Sequence, residues 1–551
     1  MSAAPVSVRA ARDRARSGSG RGSGSGSWSG TRGLLRLALR SDRWRVVVWA
    51  ASVAVLMYVS VGSYDRLYPT ADARAARAAL IESPAATALA GPGYGLDDYT
   101  LGAMTANELA LWVMIPVAIM AVLAVTRNLR APEEDGRLEL VRSQPVGRGG
   151  PIAAGLGAAV VAVLAVGGAT FVLLLATSLD PAGSALMCCA VVAVGLVFAA
   201  VGAVTSQLAA QARSASGLGM AAIGVALVLR AVGDIRGPES TSVWTWLSPF
   251  GWSQATAPYT LDRWWPLVVP VVVAGALVVV AFALAARRDL GAGVLPDRAG
   301  RAHGRIGTVL GLTWRRQRTS ILSWGAATVL SGAVIGLLAS AVQDFVDDQP
   351  SLGDLLPPGA DPVASAFALY AVFLGVLALC YAATAVGAAR VDEDAGRAAT
   401  LLALPVARAR WLGAQVLLAA TAVVVMLVVA GLVMGATAAS TLGSPDQVGT
   451  LLGAATVTVP GALVVLGVAV AVLGWLPRAF AAVWAYVAYV GVMSMFGEVL
   501  PDGSDALSPY TYLPRLPADD MSWPPVVVCL LVAAALVTVG LAGFRRRDLR
   551  A

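Results

Sequence analysis

Glu133-Glu134-Asp135-Gly136-Arg137, running on to Pro145-Val146-Gly147-Arg148, recurs without a gap as Glu393-Asp394-Ala395-Gly396-Arg397 and Pro405-Val406-Ala407-Arg408. The chain reads as a duplication. Each copy is a short polar block between two long apolar segments, and the blocks resemble each other far more than the apolar sequence around them does. Hydrophobicity alone would not preserve that pattern, so something reads the blocks. Residues 40–49 match 315–324, Ser248-Pro249-Phe250 matches Ser508-Pro509-Tyr510, and Arg288-Asp289-Leu290 matches Arg547-Asp548-Leu549, which extends the repeat across the chain.

Composition supplies the setting. With 58% hydrophobic and 13% charged residues and a mean hydropathy of +0.73, the chain belongs to the membrane class. A spanning helix needs about 20 mostly apolar residues. Twelve such runs, from 46–63 and 109–126 to 479–496 and 524–544, predict an all-α polytopic membrane protein with 12 transmembrane helices. Arginines precede the first run, fill the loop between the second and third, crowd the centre and close the chain at Arg545, Arg546, Arg547 and Arg550. The positive-inside rule then makes both termini cytoplasmic, and the acidic stretch with Asp344, Asp347, Asp348, Asp354 and Asp361 external. Six spans per half is an even number, so the two six-helix repeats are parallel and related by an axis along the membrane normal.

The predicted organisation is a disordered basic cytoplasmic tail over 1–32, a first six-span half over 33–288, a cytoplasmic linker over 289–308 and a second six-span half over 309–551. Leu34, Leu35, Ala38 and Leu39 share a face apart from Arg36, Arg40 and Arg43, which suits an interfacial helix ahead of the first span. Ordinary flanking charge accounts for those arginines equally well.

What the chain lacks bears on mechanism. It has no lysine, so no P-loop lysine exists to hold nucleotide phosphates. Its single histidine, His303, lies in the arginine-rich linker, and no metal-ligand spacing accompanies it. No cofactor bound by this chain and no nucleic-acid partner are expected. Ion-coupled carriers place titratable groups inside their spans, whereas Glu108, Arg230 and Glu498 fall at span ends. The energy source is therefore expected in a partner protein.

Within each block, Gly136 or Gly396 can break a helix and Pro145 or Pro405 can end the next one. The interval suits a short amphipathic helix lying along the inner face, with Glu133, Glu134, Glu393 and Asp394 facing solvent before its start. A block of this form between the second and third spans of a six-span unit resembles the coupling-helix region of ABC-2-type exporter permeases. The fused twelve-span arrangement is similar to the actinobacterial permeases described as exporters of polyketide antibiotics, including the Trp-Leu-Ser-Pro-Phe-Gly-Trp run ending at Trp252. The resemblance implies two copies of a separate ABC-type ATP-binding subunit, which holds ATP and magnesium and docks on the blocks. It assigns ATPase coupling to Glu133, Glu134, Gly136, Arg137, Glu139, Pro145, Arg148, Glu393, Asp394, Gly396, Arg397, Pro405 and Arg408. Half two departs from the pattern, with Ala399 where half one has Glu139.

Substrate-cavity candidates are the aromatic and thioether stripes: Trp112 and Met120 beside Pro116, Phe367, Tyr370 and Tyr381 in the eighth run, and Tyr486, Tyr489, Met493 and Phe496 in the eleventh. The same spacing suits helix packing or lipid contact. Charge-free spans imply a hydrophobic or amphiphilic cargo, and the reading is antibiotic or drug export across the bacterial cell membrane. Two rivals remain: an ion-coupled secondary transporter, and a polytopic lipid-linked glycosyltransferase using an external pair such as Asp97-Asp98.

Overall fold

The computed structural model describes residues 28–81, 87, 91–144, 146–236, 241–295, 307–340, 342–343, 361–496, 503 and 505–548. The acidic external stretch from Asp344 to Asp354, His303, Glu498, Pro145 and most of the expected tail and linker lie outside the described residues. Among the described residues every regular element is helical. The chain divides into two compact units, residues 1–300 and 301–551.

In the first unit, α1 (Thr31–Leu67) is one uninterrupted helix, followed by a short helix α2 (Ala71–Ile81). Among the described residues no separate interfacial helix precedes it, and residues 34–43 are part of α1. No proline or glycine interrupts residues 34–61, and Asp42 anchors the charged turns by accepting from Arg127 at 2.9 Å and Asn128 at 2.7 Å. At 1.5 Å per residue, α1 runs about 55 Å, well beyond a hydrocarbon core of about 30 Å. Next come α3 (Leu101–Glu134), α4 (Arg137–Arg142), α5 (Gly150–Leu174), α6 (Pro181–Leu208) and α7 (Ala212–Arg236). Two short helices, α8 (Val243–Trp246) and α9 (Pro249–Gln254), lead into α10 (Val268–Arg287).

The core of this unit forms around α3, whose Val117, Ala118, Ala121, Val122 and Val125 are buried. Gly202 of α6 lies so close to Val122 that a Cβ there would meet its backbone at 3.2 Å. Small residues permit this close approach, as is usual where lipid supplies no hydrophobic drive between helices. Thr100 starts α3 by accepting the Ala103 N–H. The α8–α9 segment turns inward: Ser248 caps α9 and donates to the Ala226 carbonyl, and Phe250 packs on Phe198 at 5.4 Å.

The second unit runs α11 (Val309–Leu337), α12 (Pro362–Asp394), α13 (Arg397–Leu402), α14 (Arg408–Leu442), α15 (Gln447–Val457), α16 (Val459–Trp475), α17 (Ala481–Phe496) and α18 (Trp523–Arg546). As in α1, the arginine-rich turns before the seventh expected span are simply the start of α11. Pro460 and the shared cap at Thr458 divide α15 from α16, although both lie in one apolar stretch. α12 is central here, with Leu374, Ala378, Leu379 and Ala382 buried, while α16 and α18 cross through Gly474 and Gly540.

Among the described residues, 11 helices are long and apolar enough to span a membrane. The eleventh expected run, 479–496, holds α17, which the structure describes over 16 residues up to Phe496, where the described residues stop.

Candidate functional site

Each polar block begins where a long helix is stopped by a left-handed glycine. Gly136 has φ 73° and Gly396 has φ 71°, a conformation that any Cβ would penalise. Six-residue helices follow, α4 in one unit and α13 in the other. Leu138 and Ala398 face inward and are buried, which fixes each short helix against its own unit. The opposite face of α4 presents Arg137, Glu139 and Leu140, the last 74% exposed. In α13 the corresponding face carries Arg397, Ala399 and Thr400.

The acidic residues divide into two kinds, and this corrects the expectation that all four face solvent. Glu133 is only 7% exposed and Glu393 only 3%. Glu133 accepts two hydrogen bonds from Arg288, at 2.5 and 2.7 Å, one from the Gly291 N–H at 2.8 Å, and pairs with Arg130 at 3.0 Å. Arg130 is fully buried and donates to the carbonyls of Ala210, Gly291 and Ala292. Arg288 also donates to Gln207 Oε1 at 2.7 Å. This cluster ties α3, α6 and α10 together at the end beside α4.

In the second unit Glu393 accepts both Arg547 Nη groups, one of them at 2.5 Å, and Arg408 donates to the Arg547 carbonyl at 2.7 Å. Asp392, also buried, pairs with Arg316 and Arg397. Bidentate arginine–carboxylate pairs of this kind are geometrically specific as well as strong. By contrast, Glu134 and Asp394 are exposed. Glu134 accepts the Ala212 N–H at 2.8 Å at the start of α7, and Asp394 pairs with Arg390. The exposed residues available to a partner are thus Glu134, Arg137, Glu139, Asp394 and Arg397, with Arg148 also exposed and Pro405 beside them.

Arg288 and Arg547 hold the buried acids of the blocks, and sequence reasoning used them only as markers of the repeat. Their matched Arg-Asp-Leu settings were the available signal.

The aromatic candidates scatter. Met120, Phe367 and Tyr381 are buried in the cores of their units, whereas Trp112 is exposed. Tyr370 packs edge-on to Phe367. Tyr486 and Tyr489 stack at 6.2 Å and clamp a later segment: Tyr486 donates to the Leu507 carbonyl at 2.9 Å, and the Leu507 N–H donates to Tyr489 Oη at 3.1 Å. Met493 is half-buried, and the Phe496 side chain lies outside the described residues.

The end of the first unit that carries α2 holds a network that the sequence did not suggest. Arg77 of α2 pairs with Glu108 at 2.8 Å, Tyr64 and Tyr99 donate to the same carboxylate, and Arg74 holds the Tyr99 carbonyl. Hydrogen bonding to Glu108 pushes the Arg77 pKa further up, while burial and then the Glu108 charge raise that of Tyr99. Asp97 and Asp98 are exposed on a single 3-10 turn. Arg230 and Asp234 form a buried pair near the end of α7, with Thr245 donating to Asp234 at 2.7 Å.

A family model described as "Multidrug efflux system permease Rv1217c, C-terminal domain" matches residues 32–285 and again 306–545. The multidrug efflux system permease protein Rv1217c of Mycobacterium tuberculosis is 35% identical over 533 residues, covering 95% of this chain and 96% of that protein. With its 11 membrane-capable helices, this is a multi-pass cell-membrane protein, and the chain belongs to the family of multidrug efflux system permeases.

Proposed function

We propose that the chain is the permease subunit of a drug efflux system, driven by ATP hydrolysis in a separate ABC-type subunit. The observation that carries this reading is the pair of short helices α4 and α13, each held by a left-handed glycine and a buried anchor, each turning a polar face outward. Two copies of the ATP-binding subunit would dock there, on Glu134, Arg137, Glu139, Asp394 and Arg397, with ATP and magnesium held in the partner. Glu133 and Glu393 would act indirectly, by fixing the base on which each short helix rests. The absence of lysine supports the same division of labour.

We further infer twelve spans in two parallel six-helix repeats with both termini cytoplasmic, α17 being the eleventh span. Support comes from the arginine distribution and from one family model matching both halves. The cargo would be hydrophobic or amphiphilic. ATP binding in the motor would pull on α4 and α13 and shift the permease between inward- and outward-open states, which requires differential affinity for the two.

Reconstitution tests the reading. Proteoliposomes holding permease and ATP-binding subunit should export lipophilic dyes only with ATP, and should continue when the proton gradient is collapsed. The purified permease alone should not hydrolyse ATP. Transport driven by an ion gradient without the second subunit would overturn the proposal.

A further inference from the structure

The first unit contains an open cleft of about 690 Å³ beside α4, lined by Arg142 of α4, Arg148 just ahead of α5 and Arg287 at the end of α10. That volume lies within the roughly 300–1,000 Å³ common for ligand sites. One wall is apolar. Trp28 stacks edge-on to Phe282 of α10 at 5.2 Å and is held there because the Gly147 N–H donates to the Ser29 carbonyl at 3.1 Å. The other wall is cationic. Arg142, Arg148 and Arg287 line it, and among the described residues no ion pair or hydrogen bond engages their guanidinium groups. Arg142 Nε is buried without a partner. Of the two acids in the lining, Glu133 is already engaged by Arg288, Arg130 and Gly291, and Asp289 is exposed.

The cleft lies at the end of α10, the least buried of the 11 spans at 17%. Its valine-rich surface, including Val271, Val272 and Val279, is exposed and suited to lipid. A ligand here must therefore join a phosphate-like anion to an apolar body. We propose that the cleft binds the headgroup of an anionic phospholipid, the phosphate on Arg142, Arg148 and Arg287 and the first acyl carbons along Phe282. Arginine forks match phosphate oxygens, and basic pockets between membrane helices favour anionic headgroups. The site belongs to one half only. In the second unit Leu402 replaces Arg142, and Arg408, the counterpart of Arg148, is spent on the Arg547 carbonyl.

On the topology proposed above the lipid would belong to the inner leaflet, and only that placement rests on it. The test is native mass spectrometry of the full chain in neutral detergent, titrated with phosphatidylglycerol, with phosphatidylcholine and glycerol phosphate as separate arms. Wild type should retain phosphatidylglycerol preferentially, and R142Q/R287Q should bind it about 10- to 30-fold more weakly, as expected for two lost guanidinium contacts. If the double variant does not fold, R287Q serves alone, since that exposed group holds no other contact. Equal retention of phosphatidylcholine, undiminished binding in the variant, or full displacement of the lipid by glycerol phosphate would each overturn the proposal. Capture of the ATP-binding subunit, measured on the same variants, separates failure here from failure of the coupling reading, which does not use Arg142 or Arg287.

Discussion

Replacing Glu133 by Gln keeps the shape of the side chain and removes its charge. Arg130 and Arg288 then remain side by side, both at least nine-tenths buried, without a carboxylate between them. Leaving a buried ion unpaired costs about 3–5 kcal/mol. At roughly 2–4 °C per kcal/mol for a unit of this size, the lower bound corresponds to a fall of about 6–12 °C in apparent Tm. Glu134→Gln keeps an oxygen acceptor for the exposed Ala212 N–H and loses only the charge on that bond, at about 1 kcal/mol or less. Thermal unfolding in detergent, followed by intrinsic fluorescence, should rank E133Q far below E134Q. The double variant E133Q/R288Q should recover part of the loss, giving a coupling of about 1–3 kcal/mol in a double-mutant cycle. The reasoning is refuted if E133Q stays within about 0.5 kcal/mol of wild type, the range of ordinary surface changes.

Charge reversal of the exposed set, Glu134→Lys with Glu139→Lys, should weaken capture of the ATP-binding subunit at least severalfold while leaving Tm within about 2 °C; unchanged capture would remove α4 from the docking surface. The matching change at Asp394 should do less, because Ala399 stands where Glu139 does. Tyr489→Ala should release the segment around Leu507, read as faster amide exchange over 505–513, and should alter the range of exported compounds more than expression. At the Glu108 network, Tyr99 has a raised pKa in the folded chain, so its contribution is complete below its ordinary value near 10 and is lost as pH rises through the folded value. Phenolate absorbance should therefore show Tyr99 titrating well after the exposed tyrosines, and Y99F should lower the amplitude of the late component by one tyrosine.

The all-helical membrane class was legible because lipid enforces it: apolar runs of the right length must be helical. The glycine stops at Gly136 and Gly396 and the short helices after them were legible for a similar local reason. The roles of the four acids were not. Spacing places Glu133 and Glu134 at a helix end, but only packing shows that one turns toward Arg288, 155 residues on, and the other toward water. The separate interfacial helix was misread because amphipathic turns look alike whether they lie flat or continue a span, and Asp42, the residue that decides the matter, has its partners on α3. The aromatic stripes had the right periodicity for several fates. Periodicity identifies a face and does not identify what the face meets.

The carboxylate of Glu133 sits at a junction of three helices, so in mechanical terms α4 is mounted on a bracket and not on the tip of a rod. A displacement of that short helix enters α3, α6 and α10 together, with little slack, because each contact is a short, charge-assisted bond. The bracket of the second unit is built differently: Arg390, which occupies the place of Arg130, leans on Phe480 and Asp394, and the load passes through Arg547 to α14. Two mounts of unequal stiffness would turn equal strokes from two identical motors into unequal movements of the two halves.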